Sequence, residues 1–202
     1  MEKRQSIADD PERELPAADG TRMRILDAAD DLISRRGVHG LTIAELARRA
    51  AVSRPTIYRA WSDADDVVRA ALLRRIVGIL EEFPAPVGRR EALVEDVLRF
   101  SVRFRTDAVF GRLLNEEPET FTRYTLQRVG SSQRMILQWL ASAVRRGQQD
   151  GSVRDDDAEA MAVMLLLIAQ SAILSHGTVS DLIDETAWEH ELRRAIDGHL
   201  RP

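Results

Sequence analysis

Arginine, serine and threonine crowd one short stretch of the chain: Arg48, Ser53, Arg54, Thr56 and Arg59 lie close together, with Thr42 upstream and Pro55 and Tyr58 interleaved. Guanidinium groups bind phosphate and the exposed edge of guanine, hydroxyls bind phosphate or base edges, and small apolar groups pack on the thymine methyl. The charge balance points the same way. Residues 21–61 hold eight arginines against four acids, whereas residues 1–20 carry net −3 and residues 62–202 net −5. A basic stretch inside an acidic protein is the footprint of a local polyanion contact, because each neutralised phosphate releases counterions. On charge alone, chance in an arginine-rich chain whose one lysine is Lys3 explains the stretch equally well.

Other chemistry is poorly supplied. Cysteine is absent, which removes thiolate nucleophiles, disulfides and thiolate metal sites together. The four histidines, His39, His176, His190 and His199, form no HExxH pair, and no GxSxG elbow, phosphate loop or Gly-rich dinucleotide fingerprint occurs. His190, between Glu189 and Glu191, sits in a surface-like helical pattern. The expectation is a non-enzyme with no cofactor and no metal. The 202 residues, 44% hydrophobic and 31% charged, suit one or two soluble domains. Residues 160–180 lack Asp, Glu, Lys and Arg, but only Ala160 to Ala169 is continuously apolar, too short a run for a bilayer span. No apolar signal-peptide core is visible near the N-terminus, so a cytoplasmic protein without membrane contact is expected.

Helices must position these side chains, because no useful period-2 alternation occurs. Residues 1–20, with Pro11 and Pro16 and several acids, read as a mobile tail. Thr21 is then an N-cap for a helix with Ile25, Leu26, Ala29, Leu32 and Ile33 on one face, stopped at Gly37. Thr42 and Glu45 have capping-box spacing. Ser53 caps a second short helix over 54–60, with Pro55 in its first turn. Two short helices joined by a tight turn describe a helix-turn-helix at 42–61. Ser62 or Asp63 caps a longer rod through Leu80, and further helices run from Arg89, around Val109 to Leu114, from Glu119 to Gln149, from Asp155 to Ser175 and from Asp181 to Leu200. The fold class expected is all-α, with about nine helices.

RILDAADDLISRRGVHGLTIAELARRAAVSRPTIYRAW, from Arg24 to Trp61, closely resembles the DNA-binding domain of TetR-family (TetR/AcrR) transcriptional regulators. The carrying features are ILDAA, the Gly-containing turn before LTIAELARRA, the turn AVS, and RPTIYRAW followed by acids. RRGQQDGSVRDDD, with Gly147, Gly151, Val153 and Arg154, also looks like the family. The N-terminal end of the second short helix would enter the major groove, which makes Ser53, Arg54, Pro55 and Thr56 the base-reading edge. Arg54 suits a bidentate guanine contact, Thr56 a hydroxyl or thymine-methyl contact and Pro55 a thymine methyl. Thr42, Arg48, Tyr58 and Arg59 suit phosphate. Ile57, with Leu46, Val52 and Trp61, belongs to the core that sets the angle between the two helices. Two positions depart from the family pattern: Ala60, where relatives often carry His or Tyr, and Ala64, where Lys is common. Each lost phosphate contact flattens the salt dependence by a slope of about 0.9. Arg22 and Arg24 either compensate or are solvated at a helix start.

The resemblance also implies a division into a reader domain over 21–66 and a regulatory, dimerising body over 67–202. The expected partners are a double-stranded operator, a second copy of the chain and a small-molecule effector. Dimerisation would set the recognition helices about 34–36 Å apart, on a pseudo-palindrome. Met161, Leu165 and Ile168, with Trp188, Leu192 and Ile196, are the expected interface. Candidate pocket residues are Phe100, Phe104, Phe121 and Tyr124 on the earlier helices and Met135, Trp139, Met164 and Gln170 on the later ones, although a large apolar or aromatic residue at helical spacing is more often plain core, with Arg128, Gln170 or His176 as polar anchors. A hydrophobic or aromatic effector fits that set. Gly130, inside the 119–149 helix, marks either a bend beside the cavity or a close helix crossing. The leading expectation is a repressor whose rod, hinged between Trp61 and Asp66, rotates when effector binds. The alternative is a helical interaction module, or an effector-independent regulator, with weakened DNA binding.

Overall fold

A computed structural model describes residues 15–39, 41–83, 89–126 and 129–202. Among these residues there are ten helices and no strands: α1 (Leu15–Arg36), α2 (Ile43–Arg49), α3 (Arg54–Tyr58), α4 (Ala64–Glu81), α5 (Arg90–Thr106), α6 (Ala108–Glu116), α7 (Pro118–Leu126), α8 (Ser131–Gln149), α9 (Ala158–Val179) and α10 (Glu185–Leu200). Most starts are capped by the side chain the sequence offers. Thr42, Ser53, Asp63, Asp107, Asp157 and Asp184 each accept a hydrogen bond from a free N–H of the first turn.

Three sequence expectations need correction. Thr21 is not a cap: α1 begins at Leu15 and runs through Gly20, so Ala17 and Ala18 extend the helix despite the roughly 1 kcal/mol that an interior glycine costs. The expected tail therefore contains the first turns of α1, and the rest of it lies outside the described residues. The continuous 119–149 helix is two, α7 and α8, with Gly130 as the extended N-cap of α8, where the Gln133 Oε1 accepts from the Gly130 N–H at 3.0 Å. The Thr42–Glu45 box is only half formed. Thr42 Oγ1 accepts from the Glu45 N–H at 3.2 Å, but the Glu45 carboxylate turns to Arg36 at 2.5 Å, a charge-assisted bond that outcompetes a neutral amide.

Two buried clusters organise the chain. One joins the α1–α3 core, α4 and an aromatic wall of Phe83, Phe100, Phe104, Phe110 and Phe121. The other joins the opposite face of α5 with α8, α9 and α10. Helix α5 is shared, giving Phe100 and Phe104 to the first cluster and Leu93, Val94, Val97 and Leu98 to the second. By length and composition α9 could cross a membrane, but it is packed between α8 and α10 and buries Met161, Ala162, Leu165, Ala169 and Ile173.

Candidate nucleic-acid interface and the cavity behind it

The interface is built on two short helices held by one buried side chain. Ile57 is fully buried, packed with Leu46 and Trp61 at 0% and 7% exposure, and it fixes α3 against α2 and α4. With Ile57 and Trp61 turned inward four residues apart, Pro55 and Tyr58 fall on other sides of α3, and Arg54 stands at its N-terminal end, in the first turn after the Ser53 cap. All three are exposed, as is Arg59 beyond the helix end. Tyr58 is 55% exposed and so belongs to the outer face, leaving the core to Ile57. Arg54 and Arg59 make no ion pair among the described residues, so both guanidiniums are available to an outside anion. Ser53 and Thr56 are linked by a 2.7 Å hydroxyl–hydroxyl bond, and Ser53 Oγ also accepts from the Thr56 N–H at 3.3 Å. Those hydroxyls cap the helix before they contact anything else.

Thr42 and Arg48 flank this face on α2, both exposed, with Arg48 only 3.6 Å from Glu45 and its side chain 78% exposed. Arg49 is committed to Asp31 at 2.8 Å. Arg22 is not merely solvated: its guanidinium lies 4.8 Å from the centroid of Trp61. The turn between α2 and α3 holds Ala51 at φ 53°, in the left-handed region that costs a residue with a Cβ about 1–2 kcal/mol, stabilised by the Val52 N–H donating to Ala47 O at 3.0 Å. Nothing in AVS signals this, because glycine or asparagine is the usual residue there.

Behind the interface, one carboxylate ties the helical body to the α1–α2 turn. Glu117, between α6 and α7, accepts from the Val38 N–H at 2.9 Å and the His39 N–H at 3.3 Å. His39 Nε2 meets Thr120 Oγ1 at 2.7 Å. Gly37 sits at φ +76°, and a Cβ there would collide with the Glu117 carboxylate, so this contact needs glycine twice over. A second tie runs through α4. Arg74 pairs with Asp27 and Asp30 of α1, while Arg75 pairs with the α6 cap Asp107 at 2.5 Å. Burial pushes the Asp107 carboxyl upward, but hydrogen bonds from Arg75 and from the Phe110 and Val109 amides outweigh it and hold the group below its ordinary range. At the start of α4, hydrogen bonds from the Ser62 hydroxyl, Arg69 and the Ser62 N–H bring the Asp66 carboxyl down to about 2.

A cavity of about 1060 Å³ opens between these ties. Phe100, Phe104, Phe121, Trp139 and Gln170 line it as the sequence suggested, while Val38, His39 and Trp61 line its reader end. Met135 and Met164 do not line it. They are 38% and 46% exposed, on the outward faces of α8 and α9. His176 is not an anchor there: it meets Arg105 at 2.8 Å and Glu185 at 2.7 Å and lies edge-on to Trp188. The Tyr124 side chain and Arg128 lie outside the described residues. The expected partner-facing residues Met161, Leu165, Trp188, Leu192 and Ile196 are at most 8% exposed in the chain's own core, and Ile168 is half-buried against it. A helix as uniformly apolar as α9 does not reveal in its sequence which side the core takes. Its outward side carries Val163, Met164 and Leu167, exposed at 43%, 46% and 49%.

Residues 25–71 match the family described as bacterial regulatory proteins, tetR family. The uncharacterized HTH-type transcriptional regulator Rv2250c of Mycobacterium tuberculosis is 39% identical over 177 residues, which is 88% of this chain and 93% of that protein. The fold is similar to that of the TetR-family repressor QsdR of R. erythropolis, with TM-score 0.69 and 18% identity, covering 90% of this chain and 95% of that one. It is also similar to RolR in complex with resorcinol, with TM-score 0.65 and 16% identity over 92% of this chain and 90% of that one. The helix-turn-helix geometry, the match over 25–71 and the near full-length relative agree: the chain belongs to the TetR family, as a DNA-binding transcriptional regulator and not an enzyme.

Proposed function

We propose that the protein is a dimeric repressor, held on a pseudo-palindromic operator by the outer face of α3 and released when a small apolar or aromatic effector fills the cavity. The observation that carries this reading is continuity. The aromatic wall of the cavity and the core of the reader form one buried cluster, and the cavity reaches the α1–α2 turn at Val38 and His39. An effector that moves α6 or α7 therefore acts on the reader through Glu117 and on α4 through Asp107. Differential contacts worth roughly 1–3 kcal/mol between the two arrangements suffice for regulation. RolR, of similar fold, holds resorcinol, which supports a small aromatic occupant.

In the operator complex Arg54 reads guanine, Pro55 and Thr56 contact neighbouring base edges, and Thr42, Arg48, Tyr58 and Arg59 grip phosphate, with the Ser53 hydroxyl kept as the cap. The second copy covers the outward side of α9, since Val163, Met164 and Leu167 otherwise leave a contiguous apolar stripe wet. The reader ends within the first turns of α4, which serves both halves, and the repressor works in the cytoplasm. Selection of duplexes from a random pool at two salt concentrations tests the reading. Enrichment of a pseudo-palindrome, lost on Arg54→Ala, is expected. A folded protein that enriches no sequence overturns it, and one that enriches an unpaired half-site overturns the dimer.

A further inference from the structure

The proposed effector cavity carries a polar device in its wall whose orientation is fixed by backbone groups, and that orientation specifies the ligand. Gln133 Oε1 accepts from the Gly130 N–H at 3.0 Å, so the Gln133 amide nitrogen must face the other way. It donates to the Thr125 carbonyl at 2.7 Å and to Gln170 Oε1 at 3.0 Å. A backbone donor at one end and a backbone acceptor at the other remove the usual ambiguity of an amide flip. Gln170 is left with its oxygen engaged and its NH₂ group, which has no partner among the described residues, as its free function on the cavity wall. The side chains that α5, α6 and α9 contribute to the lining are uncharged, and the ionised groups lie at the reader end or, as Arg134, on the surface.

We infer that the cavity selects a neutral, largely aromatic or alicyclic molecule bearing a hydrogen-bond-accepting oxygen, such as a ketone, lactone or ether, received by the Gln170 NH₂, with Gln133 setting that polarity. A carboxylate beside Gln170 would sit against the uncharged lining of α5, α6 and α9, with the arginines of the wall at the reader end (Arg22, Arg69) or exposed at the surface (Arg134), and an ammonium there would face a donor. This rests on the reading of the cavity as the effector site. Gln133 is a positioning residue: it acts through Gln170.

The test uses the full-length protein and three ligands of similar shape: an acetylnaphthalene, the isopropenylnaphthalene in which CH₂ replaces the oxygen, and the naphthoate anion, with affinities from calorimetry. The ketone is expected to bind about tenfold tighter than the hydrocarbon, a ratio equivalent to about 1.4 kcal/mol, with the anion weakest. Gln170→Leu should erase the preference and keep the hydrocarbon's affinity. Gln133→Leu should shrink the preference while Gln170 is still present, which loss of mere packing would not do. Equal binding of ketone and hydrocarbon by the wild type, a preference that survives Gln170→Leu, tightest binding of the naphthoate, or no binding of any of the three overturns the inference; the wild-type series decides even if a variant fails to fold. Operator occupancy followed in the same titration separates the two readings. Ketone selectivity without DNA release overturns effector-driven release and leaves the ligand class standing, whereas release by a charged compound alone does the reverse.

Discussion

Arg54 has the most to lose at the level of single side chains. It is exposed and unpaired at the N-terminal end of α3, so Arg54→Ala is expected to weaken binding to a selected operator by about 1–3 kcal/mol, and to relax the preference at one base position. Arg59→Ala should weaken binding across all sequences and lower the salt slope by about 0.9, measured by fluorescence anisotropy at several salt concentrations. Ile57 is the complementary case. Ile57→Ala opens a cavity under α3 and should cost about 2–5 kcal/mol in a denaturant titration. Residue types at this scale were legible in the chain: the caps Thr42, Ser53 and Asp63 and the inward Ile57 and Trp61 stand where spacing put them. What spacing could not show is partner choice. Glu45 takes Arg36 instead of closing its box, and His176 is spent on Arg105 and Glu185, because ion pairs between distant helices leave no local pattern.

Between elements, the contact of Glu117 with the α1–α2 turn makes a sharp expectation. Glu117→Ala removes the acceptor for two amides and should destabilise the protein by about 1–3 kcal/mol, and it should reduce the effect of a bound effector on operator affinity. Gly37→Ala should do the same from the other side, through strain at φ +76° and a clash with that carboxylate. The start of α4 is expected to persist in acid. With the Asp66 carboxyl brought down to about 2, its contribution is complete above the ordinary carboxylate range near 4 and is lost progressively as pH falls from there through about 2. Titration of the Asp66 carboxyl by NMR should show that midpoint, and Ser62→Ala should move it upward. Helix order could be read in advance, but two boundaries could not. The Gly130 break and the early start of α1 both turn on a single glycine, for which local propensity and tertiary packing point in different directions.

For the whole molecule, the outward stripe on α9 gives the clearest expectation. Leu167→Arg should turn the proposed dimer into a monomer in sedimentation, and Leu165→Arg, two residues away on the nearly opposite, fully buried side of the helix, should unfold the chain instead. The sequence marked α9 as buried all round but not which side the chain's own core claims, since an amphipathic signal is absent from a helix with two apolar faces. The single buried cluster that runs from Ile25 through Ile57 and Val67 to Phe121 has a further consequence, for how the protein melts. Its reader cannot unfold while the aromatic wall stays folded. Heating should therefore give one calorimetric transition over the reader and the wall, not a labile reader followed by a stable body. A ligand in the cavity should raise the melting temperature of the DNA-binding helices it never touches, and a fragment ending near residue 66, stripped of the α4 side chains that close its core, should remain unfolded.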